Sequence, residues 1–219
     1  MRRIHSVRVG ELSTDILIVG VTAGLAVIVA DRVADRSAKA LCGERATRVL
    51  WLFRALLACA WLGGRASDWV FGDGRGVRTD GALLATAACM ALVSIFARSI
   101  DPVAVAASFA RAAVAGWAVG RIGCAIIMDH PGTLSSLGFR HNLGLYELVW
   151  ALLLSLAAPR LLRTRGRFSI VTCMSFSALR LLLDSLRPVP MPSTRVMVMG
   201  TCLTAFVLWR KAAKNASAC

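Results

Sequence analysis

The feature that most constrains this chain is a series of apolar runs, each about as long as a bilayer is thick, separated by short loops. A helix needs roughly 20 mostly apolar residues to cross the hydrocarbon core. Seven segments meet this requirement closely enough to predict membrane-spanning helices: 12–30, 48–71, 81–97, 102–128, 142–158, 168–186 and 194–209. The loops leave no room for a soluble domain. We therefore expect residues 1–219 to form one all-α, multi-pass membrane domain.

The composition agrees with a membrane protein and excludes most soluble classes. Hydrophobic residues make up 57% of the chain and charged residues only 17%, whereas soluble domains carry roughly 25% charged residues. The formal net charge is +14. Because the arginines flank apolar runs and have no stacking aromatics between them, nucleic acid is not an expected partner.

The basic residues also predict an orientation. If the N-terminus lies outside the cell, more of the 26 Lys and Arg residues fall in inner loops than in outer segments. Cytoplasmic loops of membrane proteins are enriched in these residues. We therefore expect the N-terminus outside and the C-terminus in the cytoplasm.

Arginines inside the apolar spans are not explained by a lipid-facing helix. A charge at the bilayer centre costs about 2.5 to 3.5 kcal/mol on insertion scales. Arg54 lies near the end of its span and is expected to reach the interface with its long side chain. Arg121 lies deeper and follows Gly116 and Gly120, whose spacing lets another helix approach closely. Either a packing face or a buried cation for a lipid phosphate explains this segment.

The sixth span offers a second buried cation. Arg180, Asp184 and Arg187 are spaced so that they share one helix face. One interpretation is a self-neutralised pair of Arg180 and Asp184, because pairing lowers the cost of burying either charge. The other is a phosphate site, since arginines bind phosphate through a bidentate fork of N–H groups.

Four sequence blocks occur in the same order in one family of membrane enzymes. They are LGGR at 62–65 with VF at 70–71, GRIGC at 120–124 with Asp129 and Gly132, RH at 140–141 with LYE at 145–147, and the segment 176–187. Through these blocks the chain resembles the bacterial prolipoprotein diacylglyceryl transferases. Members of that family are integral proteins of the inner membrane with seven spans.

The resemblance implies a reaction and a site. The family transfers a diacylglyceryl group from phosphatidylglycerol to the lipobox cysteine thiol of a prolipoprotein and releases glycerol phosphate. Arg121 and Arg180 match arginines regarded as essential there. The remaining positions implied to surround the lipid are Cys124, Asp129, Gly132, Tyr146, Glu147 and Asp184. Cationic groups would hold the phosphate, a base would generate the attacking thiolate, and no metal or organic cofactor is needed.

Three departures from the family pattern bear on activity. Asp80 stands where the family has a histidine, and a carboxylate is a much weaker base than imidazole. His141 is the alternative base, although it also fits a contact at the start of a helix. The outer segment is reduced to 129–140, and Tyr146 is the only tyrosine, so the tyrosine of the family's first helix is missing. A second interpretation is therefore a non-catalytic or repurposed member that binds anionic phospholipid or uses another acceptor.

Overall fold

The structure, a computed structural model, describes residues 9–71, 82, 85, 101–128, 131–162, 166–188 and 192–216. Most of these residues are helical. The helices are α1 (Val9–Cys42), α2 (Ala46–Phe71), α3 (Pro102–Ile127), α4 (Leu143–Leu161), α5 (Arg167–Ser185) and α6 (Pro192–Ala216). A short 3-10 turn joins α1 to α2, and strands β1 (Pro131–Leu134) and β2 (Arg140–Asn142) form an antiparallel hairpin between α3 and α4.

The predicted spans agree best with α2, α3, α4 and α5, whose ends lie within a few residues of the predictions. By contrast, α1 continues to Cys42, well past the predicted end at residue 30. The segment 31–42 is rich in Ala, Arg and Lys, which favour helix whether or not they lie in lipid. The predicted span 81–97 lies outside the described residues apart from 82 and 85, which are helical. The hairpin was not predicted.

Four helical segments within the described residues are long and apolar enough to cross a membrane by length and composition. They are Thr14–Val70 (which covers most of α1 and α2), Val103–Ile127, Leu143–Leu161 and Arg167–Ser185. In α6 only the shorter stretch Val198–Val207 is apolar. Ile16, Leu17 and Ile28 on α1 are more than half exposed, as contact with lipid requires. The chain is thus a mostly helical, multi-pass membrane protein, while the count of seven spans and the orientation stay predictions.

The centre of the packing is α3, which contacts α1, α4, α5 and α6. A Cβ atom added at Gly116 would lie 2.9 Å from the Cβ of Ala30 on α1, and one at Gly120 would lie 3.6 Å from the Cβ of Ala26. The predicted close approach at Gly116 and Gly120 is therefore confirmed, and it takes place within the chain. It leaves the opposite side of α3 to face α4 and α5.

The start of α4 is tied to the end of α3. The side-chain oxygen of Asn142 accepts a hydrogen bond from the N–H of Leu145 at 3.0 Å, which caps α4. The side-chain nitrogen of Asn142 donates to the carbonyl oxygen of Ala125 at 2.8 Å. At Gly144 an added Cβ would lie 3.1 Å from the backbone carbon of Cys124. This close approach fixes the first turn of α4 against the last turns of α3.

Candidate functional site

Three charged side chains from three helices meet where α3, α4 and α5 pack together. Nη1 of Arg180 lies 2.8 Å from Oε1 of Glu147, and Nε of Arg121 contacts Oε2 of the same carboxylate. All three are well buried, with side-chain exposures of 12% for Arg121, 8% for Arg180 and 4% for Glu147. We call Arg121, Glu147 and Arg180 the arginine–glutamate cluster. The two arginines singled out in the sequence are thus brought together.

The cluster lies near one end of the helix bundle. Arg121 and Arg180 lie within two turns of the C-terminal ends of α3 and α5, and Glu147 lies in the second turn of α4. At 1.5 Å per residue these positions are roughly 6–9 Å from the helix ends. The favourable interaction of charges with helix ends falls off within the terminal turn. The cluster is therefore held together by the contacts among its own side chains rather than by the helix ends.

An aromatic wall lies beside the cluster. The Cζ atom of Arg121 lies 4.6 Å from the ring centroid of Trp117, and that of Arg180 lies 5.6 Å from the same centroid. Arg180 also lies 5.1 Å from the ring of Phe176. A guanidinium over an aromatic face within about 6 Å is stabilised electrostatically. Sequence reasoning missed this role, although each ring precedes its arginine by one helical turn, a spacing at which side chains meet.

Cys124 is a neighbour of the cluster. Its sulfur accepts a hydrogen bond from Nη1 of Arg121 at 3.5 Å. The thiol is half-buried, and it lies one turn after Arg121 on α3. A polar or polarisable group at this position thus helps to orient the guanidinium, while its role in binding lipid stays a prediction.

The β-hairpin covers the same end of the bundle. The N–H of Thr133 donates to the carbonyl oxygen of Leu186 at 2.7 Å, which attaches β1 to the end of α5. A Cβ at Gly132 would lie 2.8 Å from the Cβ of His141 and 2.9 Å from the carbonyl oxygen of Leu186. Gly132, predicted as a lipid-binding position, is therefore required for close packing of the hairpin.

His141 on β2 and Tyr146 on α4 form a hydrogen-bonded pair. Nδ1 of His141 lies 2.7 Å from the hydroxyl oxygen of Tyr146, and both side chains are half-buried. In the tautomer whose Nδ1–H donates to Tyr146, Nε2 is free to accept a proton. Tyr146 directly precedes Glu147 in α4, so the pair lies at the same end of the bundle as the cluster.

Glu147 is implied as a lipid-binding residue by the family resemblance, but the sequence analysis did not predict its two arginine partners. It is the only charged residue in the predicted span 142–158, and a buried carboxylate requires cationic or hydrogen-bonding partners. That requirement could have predicted that Glu147 pairs with cations from other helices. The i, i+4 spacing instead drew attention to Asp184, whose carboxylate accepts a hydrogen bond from the hydroxyl of Thr194 on α6 at 3.2 Å.

Two predicted site residues, Asp80 and Asp129, lie outside the described residues. Arg54 lies away from the cluster and forms a bidentate pair with Asp31 of α1, with N–O distances of 3.0 and 3.1 Å. It was expected to reach the interface unaided. The partner was missed because Asp31 lies on the preceding helix, beyond any local spacing.

The geometry limits what the cluster can do chemically. The three side chains of the cluster, taken alone, sum to one net positive charge in a poorly hydrated position, and Arg180 has a further interaction besides its contact with Glu147. An anion such as a phosphate would balance that charge, because electrostatic attraction is strong where water screens it poorly. The arginines can share their N–H groups between Glu147 and a second acceptor, since each guanidinium has five donors.

In comparisons with known proteins, neither a family model nor a curated protein matches the chain.

Proposed function

We propose that the arginine–glutamate cluster binds the phosphate of phosphatidylglycerol and that the protein transfers the diacylglyceryl group of this lipid to the lipobox cysteine thiol of a prolipoprotein. The carrying observation is the meeting of Arg121 and Arg180, from different helices, on one buried carboxylate. The sequence blocks at 120–124, 145–147 and 176–187 support the same reaction. It would place the protein in the bacterial inner membrane.

The charge of the cluster fits the course of this reaction. A phosphodiester carries one negative charge, which the net positive charge of the cluster balances. As the bond between the diacylglyceryl carbon and the phosphate oxygen breaks, further negative charge develops on the leaving glycerol phosphate. Fixed cations aimed at developing charge lower the barrier of such a step. Arg121 and Arg180 therefore stabilise the leaving group more than the bound lipid.

The acceptor side requires a base. The cysteine thiol must lose its proton before its sulfur attacks the diacylglyceryl carbon, because the thiolate is the nucleophile. His141 is the candidate among the described residues, with Tyr146 holding its ring through the 2.7 Å hydrogen bond. The sulfur–carbon bond forms as the carbon–oxygen bond breaks, and the thiol proton passes to Nε2 of His141.

A second candidate function is binding of an anionic phospholipid without transfer. The observation that favours it is Glu147, which already contacts both arginines. A carboxylate between the two guanidiniums partly neutralises them. It therefore weakens their stabilisation of a leaving phosphate as its negative charge grows. Asp80, at the position of the family's histidine, favours the same alternative.

Complementation tests the transferase. The chain is expressed in a bacterial strain depleted of its own diacylglyceryl transferase, together with Arg121→Gln, Arg180→Gln and the matched control Arg54→Gln. The transferase proposal expects rescue by the wild type and the control and no rescue by the other two. Failure of a correctly inserted wild-type protein to rescue, or rescue by Arg121→Gln, would contradict it.

An assay in vitro separates the two candidates. Purified protein is incubated with radiolabelled phosphatidylglycerol and a lipobox peptide, and the lipidated peptide is measured. A transferase yields the thioether product, whereas a binding protein retains the lipid without product. If His141 is the base, His141→Asn lowers the rate at least 100-fold, since base catalysis contributes about 10²–10⁴-fold. The same change also flattens the fall in rate at low pH. An unchanged pH profile would remove His141 from the mechanism.

A further inference from the structure

Trp117 contacts both arginines of the cluster. Its ring lies 4.6 Å from Cζ of Arg121 and 5.6 Å from Cζ of Arg180, and it packs edge-on against Phe176 at 5.6 Å. No other described aromatic ring lies within cation–π distance of both guanidinium groups. Trp117 thus occupies the position from which a side chain reaches a ligand held between them.

The indole N–H of Trp117 is buried and has no hydrogen-bond acceptor among the described residues. Trp150 provides the comparison, because it packs against the same Phe176 at 5.4 Å. The N–H of Trp150 donates to the hydroxyl of Ser175 at 3.2 Å. The two indoles therefore share an aromatic neighbour and differ in whether the N–H is satisfied within the described chain.

An unsatisfied buried N–H needs a physical reason. Buried tryptophan nitrogens usually find an acceptor, and leaving one without a partner costs free energy that a phenylalanine in the same place would not incur. The charged groups beside this ring are the guanidiniums of Arg121 and Arg180, which are donors only. A phosphate drawn to those cations carries several acceptor oxygens and would supply the missing partner.

We propose that Trp117 is a third donor of the phosphate site, its indole N–H donating to an oxygen of the phosphate that Arg121 and Arg180 bind. This inference rests on the proposed function, because it assumes a phosphate at the cluster. Protein atoms cover the indole N–H of Trp117 in the structure. A neighbouring side chain must therefore move before a phosphate oxygen can reach this N–H. The ligand chemistry is that of a phosphate ester, either a lipid headgroup or the smaller glycerol phosphate.

The test replaces the N–H and keeps the ring. 3-Benzothienylalanine, which has sulfur in place of the indole N–H, is introduced at position 117, with Trp117→Phe as a second variant and the same two changes at Trp150 as matched controls. Affinities of the full-length, detergent-solubilised protein are measured for short-chain phosphatidylglycerol, short-chain phosphatidylcholine and glycerol 3-phosphate. Arg180→Gln serves as the reference for loss of the site.

We expect the benzothienyl ring at position 117 to weaken phosphatidylglycerol binding about ten-fold or more, the usual loss for a hydrogen bond to a charged group. The changes at position 150 should leave the affinity within two-fold. Parallel loss of glycerol 3-phosphate binding would assign the contact to the phosphate itself, and loss with the lipid alone would assign it to the diester headgroup. Both results support the donor.

Three results would overturn the inference, and they differ from failure of the proposed function. Wild-type affinity with the benzothienyl ring at 117, while Arg180→Gln abolishes binding, removes Trp117 as a donor and leaves the phosphate site intact. Equal losses at positions 117 and 150 assign the effect to packing. No preference of the wild type for phosphatidylglycerol over phosphatidylcholine overturns the site itself.

Discussion

Two interhelical ion pairings among the described residues differ in almost every physical respect. Asp31 and Arg54 join α1 to α2 one to one, with side-chain exposures of 30% and 44%. In the arginine–glutamate cluster one carboxylate serves two guanidiniums, and none of the three exceeds 12% exposure. The first arrangement is neutral and can exchange its partners for water or lipid headgroups. The three side chains of the second, taken alone, sum to one positive charge and are too buried for such exchange, which makes the cluster suitable for an anionic ligand.

The most severe test of this difference is to neutralise the shared carboxylate of Glu147. Glu147→Gln removes the carboxylate that the two buried guanidiniums share, and breaking a buried pair in this way costs about 3–5 kcal/mol. We expect a loss of that size in the free energy of unfolding, measured by detergent-induced unfolding with tryptophan fluorescence. A Glu147→Gln protein as stable as the wild type would mean that the cluster is hydrated and resembles the exposed pair.

Helix spacing gives a second, smaller test. A side chain at Gly144 would meet the backbone of Cys124 and Ala125 at 3.1 and 3.2 Å, whereas nothing lies within 4 Å of a Cβ at Gly24. Overpacking costs about 1–3 kcal/mol, so Gly144→Val should lower the unfolding free energy by that amount. Gly24→Val, on the same helix as Asp31, should change it by less than about 0.5 kcal/mol. Equal effects would contradict the tight packing of α3 on α4.

How far the sequence predicts these features depends on their range along the chain. The positions of α3, α4 and α5 follow from apolar runs, because lipid requires about 20 apolar residues for a span. The end of α1 does not, since hydropathy marks where a membrane ends and residues 31–42 form helix without being apolar. Arg121 and Arg180 were found because a buried charge is costly. Their joint partner Glu147 depends on how three helices cross, which local spacing does not encode.

The exposed pair should respond weakly to the change that is severe in the cluster. Asp31→Asn leaves Arg54 able to reach solvent or headgroups through its long side chain, and exposed pairs contribute about 0–1 kcal/mol. We expect the unfolding free energy to fall by no more than that. A loss as large as that of Glu147→Gln would show that Asp31 and Arg54 are buried by a neighbouring segment.

The dependence of stability on salt concentration should give the smallest effect, and it separates the exposed pair from the buried cluster. Raising the ionic strength shortens the screening length, which weakens exposed pairs and spares buried ones. The stability difference between wild type and Asp31→Asn, a few tenths of a kcal/mol or more in dilute buffer, should shrink toward zero in concentrated NaCl. The difference for Glu147→Gln should persist. Parallel behaviour of the two variants would contradict the assigned difference in solvent access.

Asn142 connects two helix ends with one side chain. Its amide satisfies the N–H of Leu145 and the carbonyl oxygen of Ala125, one orphan group from each of two helix ends. Asn142 is also the last residue of β2. One side chain therefore joins the hairpin and the last turn of α3 to the first turn of α4, directly before the turn that carries Glu147.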